Sequence, residues 1–172
     1  MKVKNIVICG LMVALGVLLP QVFHVFGSMG GMLFLPIHYG VFLAGMLLPP
    51  GYGGIAGILI PALSGLIIGM PPVPKVYFMM PELVTYGLVT GVLKEKMLPV
   101  KALIIAMVSG RIVYGLSLLV GNYILGMKAP FMQFSSFSYG IAVGIPGLLI
   151  QLIVIPIIVK KVHKGVGVAY AR

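Results

Sequence analysis

Residues 76–125 read VYFMMPELVTYGLVTGVL (76–93), KEKMLPV (94–100) and KALIIAMVSGRIVYGLSLLVGNYIL (101–125). Two apolar runs are joined by a charged turn, and each run is of the length that crosses a bilayer, about 17–25 residues. Each also carries one ionisable group within the run, Glu82 in the first and Arg111 in the second. Soluble helices of this length would show a polar face, and these show none. The pair therefore reads as a transmembrane helical hairpin, and the rest of the chain follows from it.

Outward from the hairpin, four more apolar runs lie at 5–26, 32–48, 52–69 and 138–159. The breaks between them are Gly27-Ser28-Met29-Gly30-Gly31, Pro49-Pro50-Gly51, Met70-Pro71-Pro72-Val73-Pro74-Lys75 and Gly126 to Ser136. Each break uses glycine, proline or charge, the residues that end helices and form turns. The composition agrees: 60% of the 172 residues are hydrophobic, only 8% are charged, and the mean hydropathy is +1.19. An ordinary soluble domain carries roughly 25% charged residues. The expectation is one all-α domain over residues 1–172, a polytopic membrane protein of six helices. The first run lacks a clear small-x-small cleavage site and is expected to remain as a span.

Twelve Lys+Arg against two Asp+Glu would suggest nucleic acid in a soluble chain. Here the cations cap apolar runs and form no basic stripe with aromatics, so no nucleic-acid partner is expected. With six spans both termini share a side. That side collects Lys2, Lys4, Lys94, Lys96, Lys101, Lys160, Lys161, Lys164 and Arg172; the other has Lys75 and Lys128. The positive-inside rule then puts both termini in the cytoplasm.

Ionisable groups inside a span are costly, roughly 2.5–3.5 kcal/mol at the centre on insertion scales, and so mark a partner or a function. Glu82 is expected roughly 9 Å below the outer surface and Arg111 roughly 15 Å above the inner one, at 1.5 Å per residue. Tyr86 sits one turn deeper than Glu82 on the same face. Tyr114, Ser117 and Asn122 follow Arg111 outward, while Lys75 and Tyr139 flank the outer ends of spans four and six. His38 follows Pro36, and a proline within a span frees a backbone carbonyl where helix geometry serves a cavity. These groups are expected to converge on one outward-facing cavity; alternatively Glu82 and Arg111 only brace two helices. Glu95 reads as a solvated charge.

Metal, cofactor and catalytic motifs are missing. There is no His-Glu-x-x-His, no phosphate-binding Gly-Lys-Ser loop, and the lone Cys9 reads as a packing residue. No enzyme activity, metal or cofactor is expected. Uphill transport would need an ion gradient, for which Glu82 is the available acid, or an energising subunit. Small residues recur four apart in Gly10-x-x-x-Ala14, Gly53-x-x-x-Gly57 and Gly87-x-x-x-Gly91, a spacing that lets helices approach closely within a chain or between subunits.

A set of motifs then points to a family. Leu35-Pro36-Ile37-His38-Tyr39-Gly40-Val41, Ala44-Gly45, Pro50-Gly51-Tyr52-Gly53, Pro61-Ala62-Leu63-Ser64, Gly69-Met70-Pro71-Pro72-x-Pro74 and Glu82-Leu83-x-x-Tyr86-Gly87-Leu88-x-x-Gly91 resemble the substrate-binding S components of energy-coupling factor (ECF) transporters. The resemblance covers residues 5–93, and the last two spans agree in length and topology.

It implies a six-helix subunit in a prokaryotic plasma membrane that binds a vitamin or related micronutrient near the extracellular side. Spans four to six and the outer loops would form the site. Such a subunit has no ATPase activity; it joins a membrane scaffold and two cytoplasmic ATPases and topples to deliver its ligand. The scaffold contacts an Ala-x-x-x-Ala stripe on the first span, which maps here onto Gly10 and Ala14. The resemblance extends to branches for pantothenate or pyridoxine-like vitamins. Arg111 would suit the carboxylate of the former; Glu82, Tyr86 and Tyr114 would suit the ring of the latter. A stand-alone ion-coupled carrier using Glu82, or a membrane assembly protein built on the small-residue stripes, are the alternatives.

Overall fold

A computed structural model describes residues 3–24 and 27–166; Lys2 and Arg172, used above for orientation, lie outside them. Among the described residues seven α-helices are formed: α1 (Val3–His24), α2 (Ser28–Phe34), α3 (Ile37–Leu47), α4 (Pro50–Ile68), α5 (Lys75–Leu93), α6 (Pro99–Leu119) and α7 (Phe134–Val166). No strand occurs among the described residues. Among the described residues six stretches are long and apolar enough to span a membrane: Val3–Phe23, Met29–Leu47, Pro50–Ile68, Lys75–Leu93, Pro99–Ile124 and Phe134–Val162. The expected all-α six-span architecture is thus what the chain adopts, with span ends moved by a few residues.

One departure matters for function. The second span is a broken helix. α2 ends at Phe34, Leu35 takes a left-handed conformation (φ 49°, ψ 48°), and α3 restarts at Ile37 behind Pro36. A non-glycine residue at positive φ is uncommon and costs backbone energy. Pro36, which lacks an N–H and has its φ fixed, suits the N-cap from which α3 restarts.

The core explains why six apolar helices assemble without a hydrophobic drive from water. Lipid is as apolar as leucine, so close van der Waals packing must do the holding. Val41, Phe42, Ala44, Ala56, Ile60, Leu83, Tyr86, Leu103, Ala106, Ile155 and Val159 are sealed from the surface. α4 and α5 pack together most extensively. A Cβ on Gly87 would run into the Gly53 carbonyl, and one on Gly53 into that of Gly87. A Cβ on Gly57 would lie 2.6 Å from the Leu83 backbone, and one on Gly91 2.6 Å from Pro50 Cα. Cys9 is buried with its Sγ 3.8 Å from the Tyr52 carbonyl oxygen, as a packing residue would be. Large apolar side chains such as Leu11, Leu66, Leu116, Leu149 and Ile153 face outward, where lipid would meet them.

At the end of the bundle with the 94–96 turn, Lys94 Nζ donates to the Leu48 carbonyl and ties the end of α5 to that of α3. At the other end the helices are interrupted rather than tied. The 69–74 loop begins at Gly69 (φ 75°) and contains cis peptides at Met70–Pro71 and Val73–Pro74. α6 runs into a π-helical turn over Val120–Ile124, and Pro130–Met132 makes a short 3-10 turn before α7. These interruptions leave room for a cavity.

Candidate functional site

The cavity is about 770 Å³ and opens at the interrupted end of the bundle. That volume lies in the range of small-molecule sites, roughly 300–1,000 Å³. Its walls come from the end of α1, the α2–α3 break, α4, the 69–74 loop, α5, α6, the Pro130–Met132 turn and the start of α7. Most of the lining is apolar: Met32, Leu35, Pro71, Met79, Phe131 and Phe137 are typical. The polar groups are few and come from separate helices.

Glu82 organises them. It is 1% exposed, and its Oε1 accepts a hydrogen bond from Tyr86 Oη at 2.6 Å and forms an ion pair with Arg111 Nη1 at 3.0 Å. The Tyr86 contact is the i,i+4 neighbour on α5, as spacing predicted. The Arg111 contact needs α6 to lie unusually close, and Gly110 provides for it. A Cβ on Gly110 would strike the Tyr86 ring and stand 3.0 Å from the Glu82 carbonyl oxygen. Ser117 Oγ, 2.8 Å from the Tyr114 carbonyl and 3.0 Å from that of Phe78, fixes the same two helices further along.

The remaining polar atoms are unevenly satisfied. Arg111 Nε and Nη2 and His38 Nδ1 are buried and lack a hydrogen-bond partner. The His38 ring packs edge-on against Tyr86, with centroids 5.2 Å apart. Tyr114 is tilted against Phe137 at 5.9 Å. Lys75 stands at the start of α5, and Glu82–Arg111 is the one ion pair within 4.0 Å among the described residues.

Of the residues expected at the site, His38, Lys75, Glu82, Arg111, Tyr114 and Tyr139 line the cavity together. Tyr86 does not. It is fully buried and donates to Glu82 Oε1. Asn122 is also elsewhere, on a separate pocket of about 290 Å³ with Lys128 and Gln133. The π-helical turn over Val120–Ile124 alters the helix phase beyond Leu119, so α-helical spacing does not carry from Arg111 to Asn122. Glu82 and Arg111 pair with each other, and both line the cavity.

Two groups went unforeseen. Ser64 Oγ donates to the Met70 carbonyl at 2.6 Å and folds the 69–74 loop over the cavity. Gln151, fully buried on α7, directs its Nε2 toward the carbonyls of Leu35 (3.2 Å) and Phe34 (3.5 Å) at the helix break. An uncharged Gln in the sixth apolar run is visible in the sequence, but its partner is a backbone atom that only the break exposes.

No group of three or more His, Cys, Asp or Glu side chains is placed to hold a metal among the described residues. The family model described as ECF transporter, substrate-specific component, matches residues 4–171. Neither a curated protein nor a solved structure matches the chain.

Proposed function

Because the chain belongs to the substrate-specific component family of ECF transporters, we propose that it is a high-affinity binding subunit for a small water-soluble vitamin or vitamin precursor. It is a membrane-embedded, substrate-binding subunit rather than an enzyme. In this reading ATP is hydrolysed by two cytoplasmic subunits that work through a membrane scaffold. Both termini face the cytoplasm of a prokaryotic cell and the cavity faces outward, as the distribution of basic residues supports. Pantothenate and pyridoxine-like compounds are the favoured ligands. His38, Lys75, Glu82, Arg111, Tyr114 and Tyr139 bind them, and Tyr86 supports Glu82.

The carrying observation is the cavity itself. An apolar chamber with a few convergent polar groups is the arrangement that orients one small molecule. The outward-facing stripe on α1 supports the scaffold assignment: Gly10 and Ala14 are exposed, and a Cβ on Gly10 would meet nothing within 4 Å.

Binding in detergent and uptake in cells separate this reading from a stand-alone carrier. The subunit should bind its vitamin one-to-one with no ion gradient, and cells should accumulate it only when scaffold and ATPases are co-expressed. Arg111→Met should weaken binding by more than about tenfold, the loss of one charge-assisted contact. Uptake by this chain alone, collapsed by a protonophore, would instead make Glu82 the protonation site of a carrier.

A further inference from the structure

Gly140, Gly144 and Gly147 of α7 are spaced to share one face of the helix, yet they meet different surroundings. A Cβ on Gly147 would lie 2.5 Å from the Leu33 carbonyl oxygen, and one on Gly144 would lie 3.1 Å from the Leu35 side chain. One on Gly140 would meet nothing within 4 Å. The seam between this face and the broken second span is thus closed by backbone at 147, closed by a side chain at 144, and open at 140. Close approach of helices accounts for glycine at the first two positions. It does not account for Gly140.

The other usual reasons for glycine fail there too. Gly140 lies inside α7 and has no positive φ. Glycine in a helix interior is worse than alanine, because it gives up more backbone freedom on folding. What distinguishes Gly140 is its place: it is half-buried and lines the cavity. Gly31 repeats the pattern on the second span. It lies inside α2 without a positive φ, lines the cavity, and would place a Cβ in open space. Its carbonyl accepts the Leu35 N–H, so it stands one turn before the side chain that meets Gly144. One turn back along each helix from the Leu35–Gly144 contact there is therefore a cavity-lining glycine with room beside it. Met32, Leu35 and Phe137 line the cavity with them, so its walls here are apolar.

We propose that Gly140 and Gly31 set the size of the molecule the cavity admits: a bulky uncharged part of the ligand, a ring or a branched chain, fills the space between α2 and the first turns of α7 where their side chains would stand. The inference rests on the vitamin-binding reading and names, within it, the residues that decide how large a ligand is taken. A larger residue at either position leaves the fold as it is and takes room from the ligand. One methylene in an apolar pocket discriminates by about 10–200-fold.

The test uses full-length Gly140→Ala, Gly140→Leu and Gly31→Leu purified in detergent, with Gly51→Leu as the control. Gly51 stands at the start of α4, outside the cavity, and a Cβ there also meets nothing within 4 Å. Tm is read on protein dialysed free of small molecules. Affinity is read by calorimetric titration with pyridoxine, pantothenate, biotin and riboflavin, probes of rising size. Any small molecule that the wild-type protein releases on denaturation is identified by mass spectrometry and joins the panel. Tm should stay at or above the wild-type value in every variant, since alanine and leucine are better helix formers than glycine. The probe that binds the wild type should lose affinity several-fold in Gly140→Ala and more than about tenfold in Gly140→Leu and Gly31→Leu, and none in Gly51→Leu. Unchanged affinity in Gly140→Leu, or an equal loss in Gly51→Leu, overturns the size role. A Tm well below wild type in Gly140→Ala does so too, by showing that the glycine is needed for packing. Each of these results leaves the vitamin reading standing. No released molecule and no binding of any probe overturns both.

Discussion

Gly87 and Gly91 on α5 face Gly53 and Pro50 on α4 across a contact in which backbone meets backbone, whereas Gly10 and Ala14 on α1 are exposed, and a Cβ on Gly10 would meet nothing within 4 Å. In the sequence the stripes look alike, small residues four apart in an apolar run. What separates them is the opposite helix. At the α4–α5 seam the neighbour is a carbonyl that cannot rotate away; on α1 the place of a neighbour is left to lipid or another subunit. Spacing therefore shows that a helix can be approached closely and does not show by what.

The sharpest way to break the comparison is to enlarge the seam. Gly87→Leu puts a branched side chain where the Gly53 carbonyl already stands. Overpacking a well-filled core costs about 1–3 kcal/mol even when side chains can shift, and here a backbone must move. Loss of a monodisperse folded species on gel filtration in detergent is the expected outcome. A folded, ligand-binding Gly87→Leu protein would mean the two helices are held elsewhere.

The matching change on α1 should do the opposite. Replacing both Gly10 and Ala14 with Leu enlarges exposed positions, so Tm and ligand affinity should stay at their wild-type values. Co-purification of a scaffold subunit should be lost, since close approach of helices in lipid depends on small residues at the contact. If the scaffold still co-purifies, α1 is not the docking face. A large fall in Tm would show that the stripe packs within the chain after all.

How far the sequence could be read follows the same line. Runs of apolar residues ended by glycine, proline and charge located six spans to within a few residues, because a bilayer fixes the length of a helix before any packing does. Glu82, Arg111 and His38 stood out because an ionisable group in hydrocarbon demands an answer. Asn122 was misplaced because a π-helical turn is invisible in a 3.6-residue count. Gly110 passed unnoticed beside Arg111, although the ion pair depends on how closely that glycine lets α6 approach. Residues that act on side chains of known chemistry were legible; those that act on the path of the backbone were not.

Between the seam and the free stripe lies the contact of α7 with the broken second span, and it should give the smallest effect. Gly147 again meets backbone, its Cβ position 2.8 Å from the Phe34 carbonyl carbon, but four residues on the contact is made by a side chain, Gln151 Nε2 at 3.2 Å from the Leu35 oxygen. Gln151→Leu keeps the bulk and removes the donor. Interhelical hydrogen bonds in membranes are worth about 0.6 kcal/mol on average and at most about 1.7, so Tm should fall by only a few degrees. Binding should respond too, because Leu35 carries the strained backbone and lines the cavity; a loss of about threefold corresponds to the average bond. A drop in Tm with affinity unchanged would show that Gln151 secures the break without shaping the site. A loss as severe as that of Gly87→Leu would place the break among the contacts the fold cannot do without, since a side chain would then be holding α2 to α7 as firmly as backbone holds α4 to α5.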